Sequence, residues 1–490
     1  MRAHKAERSM SIFVATLAVV LFAIQPAAIA DDHDKDGEHA KHWVATWATA
    51  PANTFFYAPP TPNAPAGPAG SPYALAHFAT ANIQPDLAFP FPNSTAGPTL
   101  AGPFPVSPIA VNQTFRSIVK PDLWGRTMRF RFSNVFGTQP VTFNSVTVGL
   151  QEYSANIVPG TLTRVTFGGQ RSVTIQPGQE VWSDGVKLRW VKDDDNDVGL
   201  QGRNLAVSYS VEGSSGPMTF HSGANQTSFI TPADSGDHTA DLDVFAFEFT
   251  TSSWFFIDAV DVMAPADTVV ICAFGDSITD GTHTTFNIND RWSNTLSRRL
   301  HNAYGNRVSI VNEAIGGNRV VLAAGGTSTA GPSAVDRLDR DVLGLSGLTA
   351  VIWLEGINDL GANHTVDQIE AGYQDVVSRL HAKGIKVYGA TMTSALGISG
   401  VDMGDNGPGH DANRKILNDY IRTSGLFDGV EDFDAATLDP ATGNMKAEFL
   451  PNSQFTQLPW DYLHPNHAGY LAMGLAVDIT LLVPARHHEH

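Results

Sequence analysis

The sequence predicts two joined architectures: an antiparallel β-sandwich, followed by an α/β domain built on a doubly wound, mostly parallel sheet. Three observations lead there. At 490 residues the chain exceeds what one ordinary hydrophobic core organises, and a 42% hydrophobic composition is enough for two cores. From Lys41 to about Pro265, short runs alternate apolar and polar residues. After Asp267 the apolar runs become continuous and are separated by stretches of helical periodicity.

Residues 1–30 have the layout of a cleaved secretory signal. Arg2, Lys5 and Arg8 precede an apolar run from Ile12 to Ile24 and a small-residue exit at Ala28-Ile29-Ala30. That run is too short for a membrane span, and no later segment supplies about 20 consecutive apolar residues. The expectation is therefore an exported protein, extracellular or periplasmic, without stable membrane insertion. Asp31-Asp32-His33-Asp34 reads as a solvated leader.

The accessory domain is placed at 31–265. Its strand signals are Thr127 to Phe132, Val141 to Val148 and Leu205 to Val211, where period-two patterning gives strands with one buried face. A Pro/Gly-rich insertion at about 51–108, with Pro59-Pro60-Thr61-Pro62 as an example, interrupts the pattern. Proline lacks the donor that a central strand needs, so this is a long excursion. Its aromatics Phe55, Phe56, Tyr57 and Tyr73 either pin the excursion down or cap a neighbouring site.

The linker falls at Met263-Ala264-Pro265-Ala266-Asp267, and the α/β domain occupies 266–484. Strands are expected at Val269 to Phe274, Val308 to Val311, Ala350 to Leu354 and Lys386 to Ala390, with helices from Arg291 to Tyr304 and from Val366 to Lys383. Strands buried on both faces and separated by helices mean a parallel sheet flanked by helices. Residues 485–490, with His487, His488 and His490, read as a polar tail.

Charge and cysteine usage narrow the function classes. The 31 Lys plus Arg against 49 Asp plus Glu give a formal net charge of -18, whose field repels nucleic acid and anionic lipid. The single cysteine, Cys272, makes an intrachain disulfide impossible, and within an apolar strand it reads as a buried small hydrophobe.

In open α/β sheets reactive groups gather beyond the carboxyl ends of the strands. Three expected strands run into unusual polar clusters there: Gly275-Asp276-Ser277, Asn312 followed by Gly316-Gly317-Asn318, and Glu355-Gly356-Ile357-Asn358-Asp359. A fourth cluster, Asp461-Tyr462-Leu463-His464-Pro465-Asn466, precedes the final helix. Alone, Ser277 is what glycine-bounded turns carry for backbone reasons, and Asp461 with His464 is an ordinary surface turn. Together they offer a nucleophile, a base and a carboxylate to fix the imidazole tautomer. The spacing of Asp461 and His464 puts both on one side of a single turn, and Pro465 holds His464 out of regular helix, so the pair is expected in the turn that precedes a helix beginning near Ala468. Donors for a developing oxyanion are the N–H of Ser277, the N–H of Gly317 and the amide of Asn358. Asp276 and Asp359 read as braces for the loops carrying Ser277 and Asn358. Arg319 either orients the second loop or meets an anionic substrate.

These four clusters, in this order, resemble the blocks of the SGNH hydrolases, also called GDSL esterases and lipases. The nucleophile block matches Gly275 to Gly281, the glycine block Asn312 to Arg319, the asparagine block Gly356 to Asp359, and the final block Asp461 and His464. Ala314 departs from the frequent glycine. The resemblance covers roughly Asp267 to Val483 and implies a flavodoxin-like fold. It also implies catalytic residues Ser277, His464 and Asp461, an oxyanion hole of Ser277, Gly317 and Asn358, and no cofactor or metal. The segment from His42-Trp43 through the strands is similar to the β-rich domain that precedes this fold in some secreted bacterial members.

The implied activity is hydrolysis of a small-molecule or polymer-linked ester through an acyl-enzyme, on acetylated carbohydrate or other small neutral esters. Lipase or phospholipase-type action on lipid esters is the alternative. A different class of reading makes the β-domain a carbohydrate-contacting module, with Trp182, Trp190, Trp254, Phe255 and Phe256 stacking on sugar; alternating aromatics in strands also read as core. An inactive binding protein on the same scaffold is a third. A metal-dependent deacetylase needs a tight ligand cluster; His410 and Asp411 read instead as a polar loop.

Overall fold

The computed structural model describes residues 41–52, 109–192, 199–322, 330–396, 408–451 and 461–484. The expected signal at 1–30, the acidic leader, nearly all of the proline-rich insertion and the tail at 485–490 lie outside the described residues. The described residues all belong to one compact unit.

The amino-terminal region is built on β1 (Lys41–Ala48), β2 (Ile109–Val119), β3 (Thr127–Ser133), β4 (Val141–Leu150), β5 (Leu205–Pro217), β6 (Ser228–Ile230) and β7 (Ile257–Pro265), with shorter strands at the edges. Two large antiparallel sheets result, beside a two-residue pairing of Phe220–His221 with Trp254–Phe255. One runs β1-β7-β3 and ends on Glu180–Trp182; the other runs Phe249–Thr251, β6, β2, β5, β4 and Thr163–Arg164. Their faces meet in an aromatic core, where the ring of Phe132 on β3 lies 5.3 Å from Phe143 on β4 and 5.3 Å from Tyr209 on β5. This is the sandwich that period-two patterning predicts.

One expectation about it changes. Strand β3 buries Met128, Phe130 and Phe132 completely, yet Arg131 on its opposite face is only 4% exposed. The outer face of this sheet lies against the α/β region instead of water. Arg129 reaches Ser346 Oγ at 3.1 Å, and Ser309 Oγ donates to Ala45 O at 2.7 Å. The proposed sugar-stacking aromatics fare accordingly. Trp254, Phe255 and Phe256 are buried at 7%, 1% and 1% exposure, and the Arg129 guanidinium covers the Trp182 ring at 4.3 Å.

The architecture changes between Pro265 and Val269. Strands β8 (Val269–Gly275), β9 (Val308–Ala314), β10 (Leu348–Leu354), β11 (Lys386–Ala390) and β12 (Gly429–Glu431) form an all-parallel sheet in the order β9-β8-β10-β11-β12. That is the doubly wound, flavodoxin-like order. The helices are α1 (Ser277–Asp280), α2 (Trp292–Tyr304), α3 (Ile357–Gly361), α4 (Val366–His381), α5 (Pro408–Thr423) and α6 (His467–Ala476), with shorter turns between. Trp292, Leu296 and Leu300 at four-residue spacing give α2 one fully buried stripe. Thr365 and Gln368 close a capping box at the start of α4.

His410 and Asp411 are not in a loop: they lie on α5, and Asp411 accepts from Arg414 Nε at 2.8 Å and pairs with Lys415 at 2.7 Å. The helix escapes a hydropathy reading because its inner face is half polar. Leu417 and Ile421 share that face with Arg414 and Asn418, which are 1% and 0% exposed and both donate to the Met392 carbonyl. Strand β12 is too short to show any period. Among the described residues, no helix is long and apolar enough to cross a membrane.

Candidate active site

Strand register sets the site. Gly275 pairs with Ala314 on one side and Leu354 on the other, so β8, β9 and β10 end level and release their loops at one edge. Gly275 has φ +159, and a Cβ there would fall 2.1 Å from Leu354 O, so only glycine permits the strand to turn this close to its neighbour. Asp276 then caps α1, its Oδ1 accepting from Ile278 N at 3.0 Å. Ser277 is the first residue of that helix, so its N–H has no intrahelical acceptor and is directed out of the helix end.

The structure brings His464 to Ser277 across 187 residues of sequence: His464 Nε2 lies 2.8 Å from Ser277 Oγ. On its other side, Nδ1 lies 2.8 Å from Asp461 Oδ2. The pair sits, as expected, in the turn that precedes α6. Asp461 Oδ1 accepts from the backbone N–H groups of Leu463 and His464 at 2.9 and 3.0 Å, a side-chain-closed turn that fixes the carboxylate before Asn466 caps α6. Burial pushes the Asp461 carboxyl up, but the His464 charge and the hydrogen bonds from His283 and His464 outweigh it and hold the group well below its ordinary range. Burial likewise opposes charge on His464, yet the charge and hydrogen bond of Asp461 carry its imidazole above the usual value. With Nδ1–H spent on Asp461, Nε2 is left to accept from the Ser277 hydroxyl.

The remaining expected residues converge on the same edge. Gly317 turns the loop after β9 with φ +75. The Asn358 amide donates to Asn318 O at 3.0 Å and lies 3.5 Å from Asp276 Oδ2, linking the asparagine helix to both neighbouring loops. Asp359 reaches beyond its own segment, where His364 Nδ1 lies 3.5 Å from its Oδ1. Its two oxygens accept from the N–H groups of Val320 and Val321 at 2.8 and 3.0 Å, holding the glycine loop. Burial pushes the Asp276 carboxyl up to about 7.

Two contributors were missed in the sequence. Arg337, fully buried, donates to Gly275 O, Glu313 O and Asn318 Oδ1 at 3.0, 2.6 and 2.8 Å, tying two strand ends to the glycine loop. His283 places Nε2 2.6 Å from Asp461 Oδ2 and its ring edge-on to His464, with centroids 5.6 Å apart. It has φ +67, a conformation in which His, Asn and Asp are the enriched non-glycine residues, and no spacing in the sequence marks it.

His283, Asp461 and His464 place donor atoms within 4.8 Å of one another, the one such trio among the described residues. Both ring nitrogens face the same carboxylate oxygen at hydrogen-bond distance, so hydrogen bonds join the trio. Cys272 is fully buried beneath the site, and burial pushes its thiol up.

Residues 273–472 match the model of the GDSL-like lipase/acylhydrolase family. Among solved structures, the chain is similar to a carbohydrate acetylesterase from Sinorhizobium meliloti, at 16% identity over 43% of this chain and 96% of that one, TM-score 0.33. It is also similar to an aryl esterase from M. smegmatis, at 15% identity over 43% and 95%, TM-score 0.33. A third is a GDSL-like lipase from Bacteroides thetaiotaomicron, at 16% identity over 44% and 88%, TM-score 0.32. No curated protein matches. Residues 273–472, which carry the parallel sheet and the candidate site, are therefore similar to the GDSL-like lipase/acylhydrolase family, and an antiparallel β-rich region lies ahead of them.

Proposed function

We propose that the protein is a serine-dependent carboxylic ester hydrolase working through an acyl-enzyme, with Ser277 as nucleophile, His464 as general base and acid, and Asp461 orienting the imidazole. The observation that carries this reading is the unbroken relay from Ser277 Oγ through His464 to Asp461, with both links at 2.8 Å. His464 Nε2 takes the Ser277 proton as Oγ attacks the ester carbonyl. The carbonyl oxygen becomes negative and is held by the N–H groups of Ser277 and Gly317 and by the Asn358 amide. Collapse expels the alcohol, which leaves with the proton that His464 returns. Water then attacks the acyl-enzyme, giving a proton to the same imidazole, and release of the acid restores Ser277. Asp461 stays ionised throughout, which its depressed pKa favours.

The net charge of -18 disfavours polyanionic substrates, so the proposed substrate is an acetylated carbohydrate or another small neutral ester. In this reading residues 1–30 export the chain, the β-rich region spans 31–265 and the hydrolase region 266–484. The test profiles wild type and Ser277→Ala on neutral esters of graded acyl length. The variant is expected to keep its fold and lose turnover by at least about a thousandfold. Equal turnover in the two proteins would sink the assignment.

A further inference from the structure

We propose that His283 is a positioning residue that shares the Asp461 carboxylate with His464 and thereby sets the pH at which His464 becomes a base. This rests on the hydrolase reading above and deepens it. Asp461 is fully engaged: Oδ1 accepts the two backbone N–H groups of its own turn, and Oδ2 faces both imidazoles, His464 Nδ1 at 2.8 Å and His283 Nε2 at 2.6 Å. Both contacts are sequestered, since the His283 side chain is 12% exposed and that of Asp461 6%. A carboxylate oxygen that accepts a second N–H has less charge to offer the first, so His283 weakens the pull of Asp461 on the His464 proton.

The other groups facing His464 are accounted for. The Ser277 hydroxyl occupies Nε2, and Asp276, on the turn before α1, adds a second raising influence that does not involve His283. Tyr470 on α6 interacts with Asp461 electrostatically, but its hydroxyl donates to Thr282 O at 2.7 Å. That same bond anchors the residue next to His283, so the loop holding the second imidazole is fastened to the helix that follows the first. Three separate segments, 281–284, 461–464 and α6, thus fix one oxygen between two rings.

The expected consequence has a definite sign. Removing the His283 donor returns the whole oxygen to His464, so the imidazole binds its proton more tightly and the acid limb of the activity profile moves to higher pH. His283→Asn keeps a residue type that accepts the left-handed backbone but is too short to reach Oδ2, whereas His283→Gln restores a donor at comparable reach. Histidine-selective NMR titration of His464 in the full-length wild type and both variants reads the effect without depending on turnover. An upward shift of about 0.5 to 1 pH unit in His283→Asn, reversed in His283→Gln, is expected, with the acid limb of kcat/KM moving in parallel. A His464 titration that stays put in His283→Asn overturns the inference, even if activity falls. Failure of the hydrolase reading would be seen separately, as ester turnover that persists in Ser277→Ala.

Discussion

The α/β region and the β-rich region meet the same helical turn in opposite ways. In the α/β region, the groups gathered around Ser277 come from short segments at the sheet edge: the Asp276 side chain after β8, the Asn318 carbonyl after β9, the Asn358 amide on α3, and Asp461 with His464 in one turn. The β-rich region lends none of the side chains named at that cleft. It holds the back of the turn instead. His221 Nε2 lies 3.1 Å from Asp280 Oδ1 at the end of α1, Asn225 donates to Gly281 O at 3.0 Å, and Arg291 reaches the Gly223 and Ala224 carbonyls. A Cβ on Gly223 would sit 2.4 Å from Asp280 Oδ2, so the two surfaces are in direct contact. Groups that react are supplied locally, and the pose of the backbone that carries them is supplied from far along the chain.

If that division holds, substitutions on the two sides separate turnover from stability. Asn358→Ala, on the reacting side, is expected to lower kcat by a hundredfold or more, about 3 kcal/mol in the barrier, while the urea midpoint changes little. A loss confined to KM would move Asn358 out of the oxyanion hole. On the bracing side, Asp122 between β2 and β3 accepts from Ser297 Oγ, His301 Nε2 and the Ile310 N–H at 2.5, 2.9 and 2.8 Å. Asp122→Ala strands a buried N–H and breaks the His301 contact, with an expected cost of about 2–3 kcal/mol in stability. The unfolding curve should shift as a single transition with kcat of the folded protein unchanged. Two resolved transitions would mean that the regions fold independently and that bracing is a misreading of their contact.

The same division explains what the sequence could reveal. Ser277, Gly317, Asn358 and the Asp461/His464 pair stand in short motifs beside strands whose continuous apolar runs are easy to see, so their order along the chain was readable. His283 belongs to no spacing pattern, and its partner lies 178 residues away. Arg337 was hidden for a related reason: a fully buried guanidinium is legible only through the carbonyls it satisfies, and Gly275, Glu313 and Asn318 come from three segments. Helix α5 was lost because Arg414 and Asn418 occupy inner positions that apolar residues usually mark. The sandwich strands were found, but the burial of β3 on both faces follows from the α/β region packing behind it, which no local alternation encodes.

The last expected effect concerns where the pH dependence of stability resides. Glu355 directly follows β10, is 1% exposed, and has Oε2 bonded to Trp353 Nε1 at 2.8 Å while Oε1 has no partner among the described residues. Burial pushes its carboxyl up to about 8. A carboxyl whose folded pKa lies above its ordinary value of 4.5 favours folding when neutral, so its contribution is complete below about pH 4.5 and is lost as pH climbs toward 8. Glu355→Gln keeps an acceptor for Trp353 and removes the proton equilibrium. Urea unfolding at pH 5 and pH 8 should therefore differ less in the variant than in wild type. If the difference is unchanged, the dependence lies at the seam instead, where Asp258 of β7 and Glu313 of β9 are both buried with pKa values raised by desolvation. In that case the two regions would be coupled through protons as well as through packing.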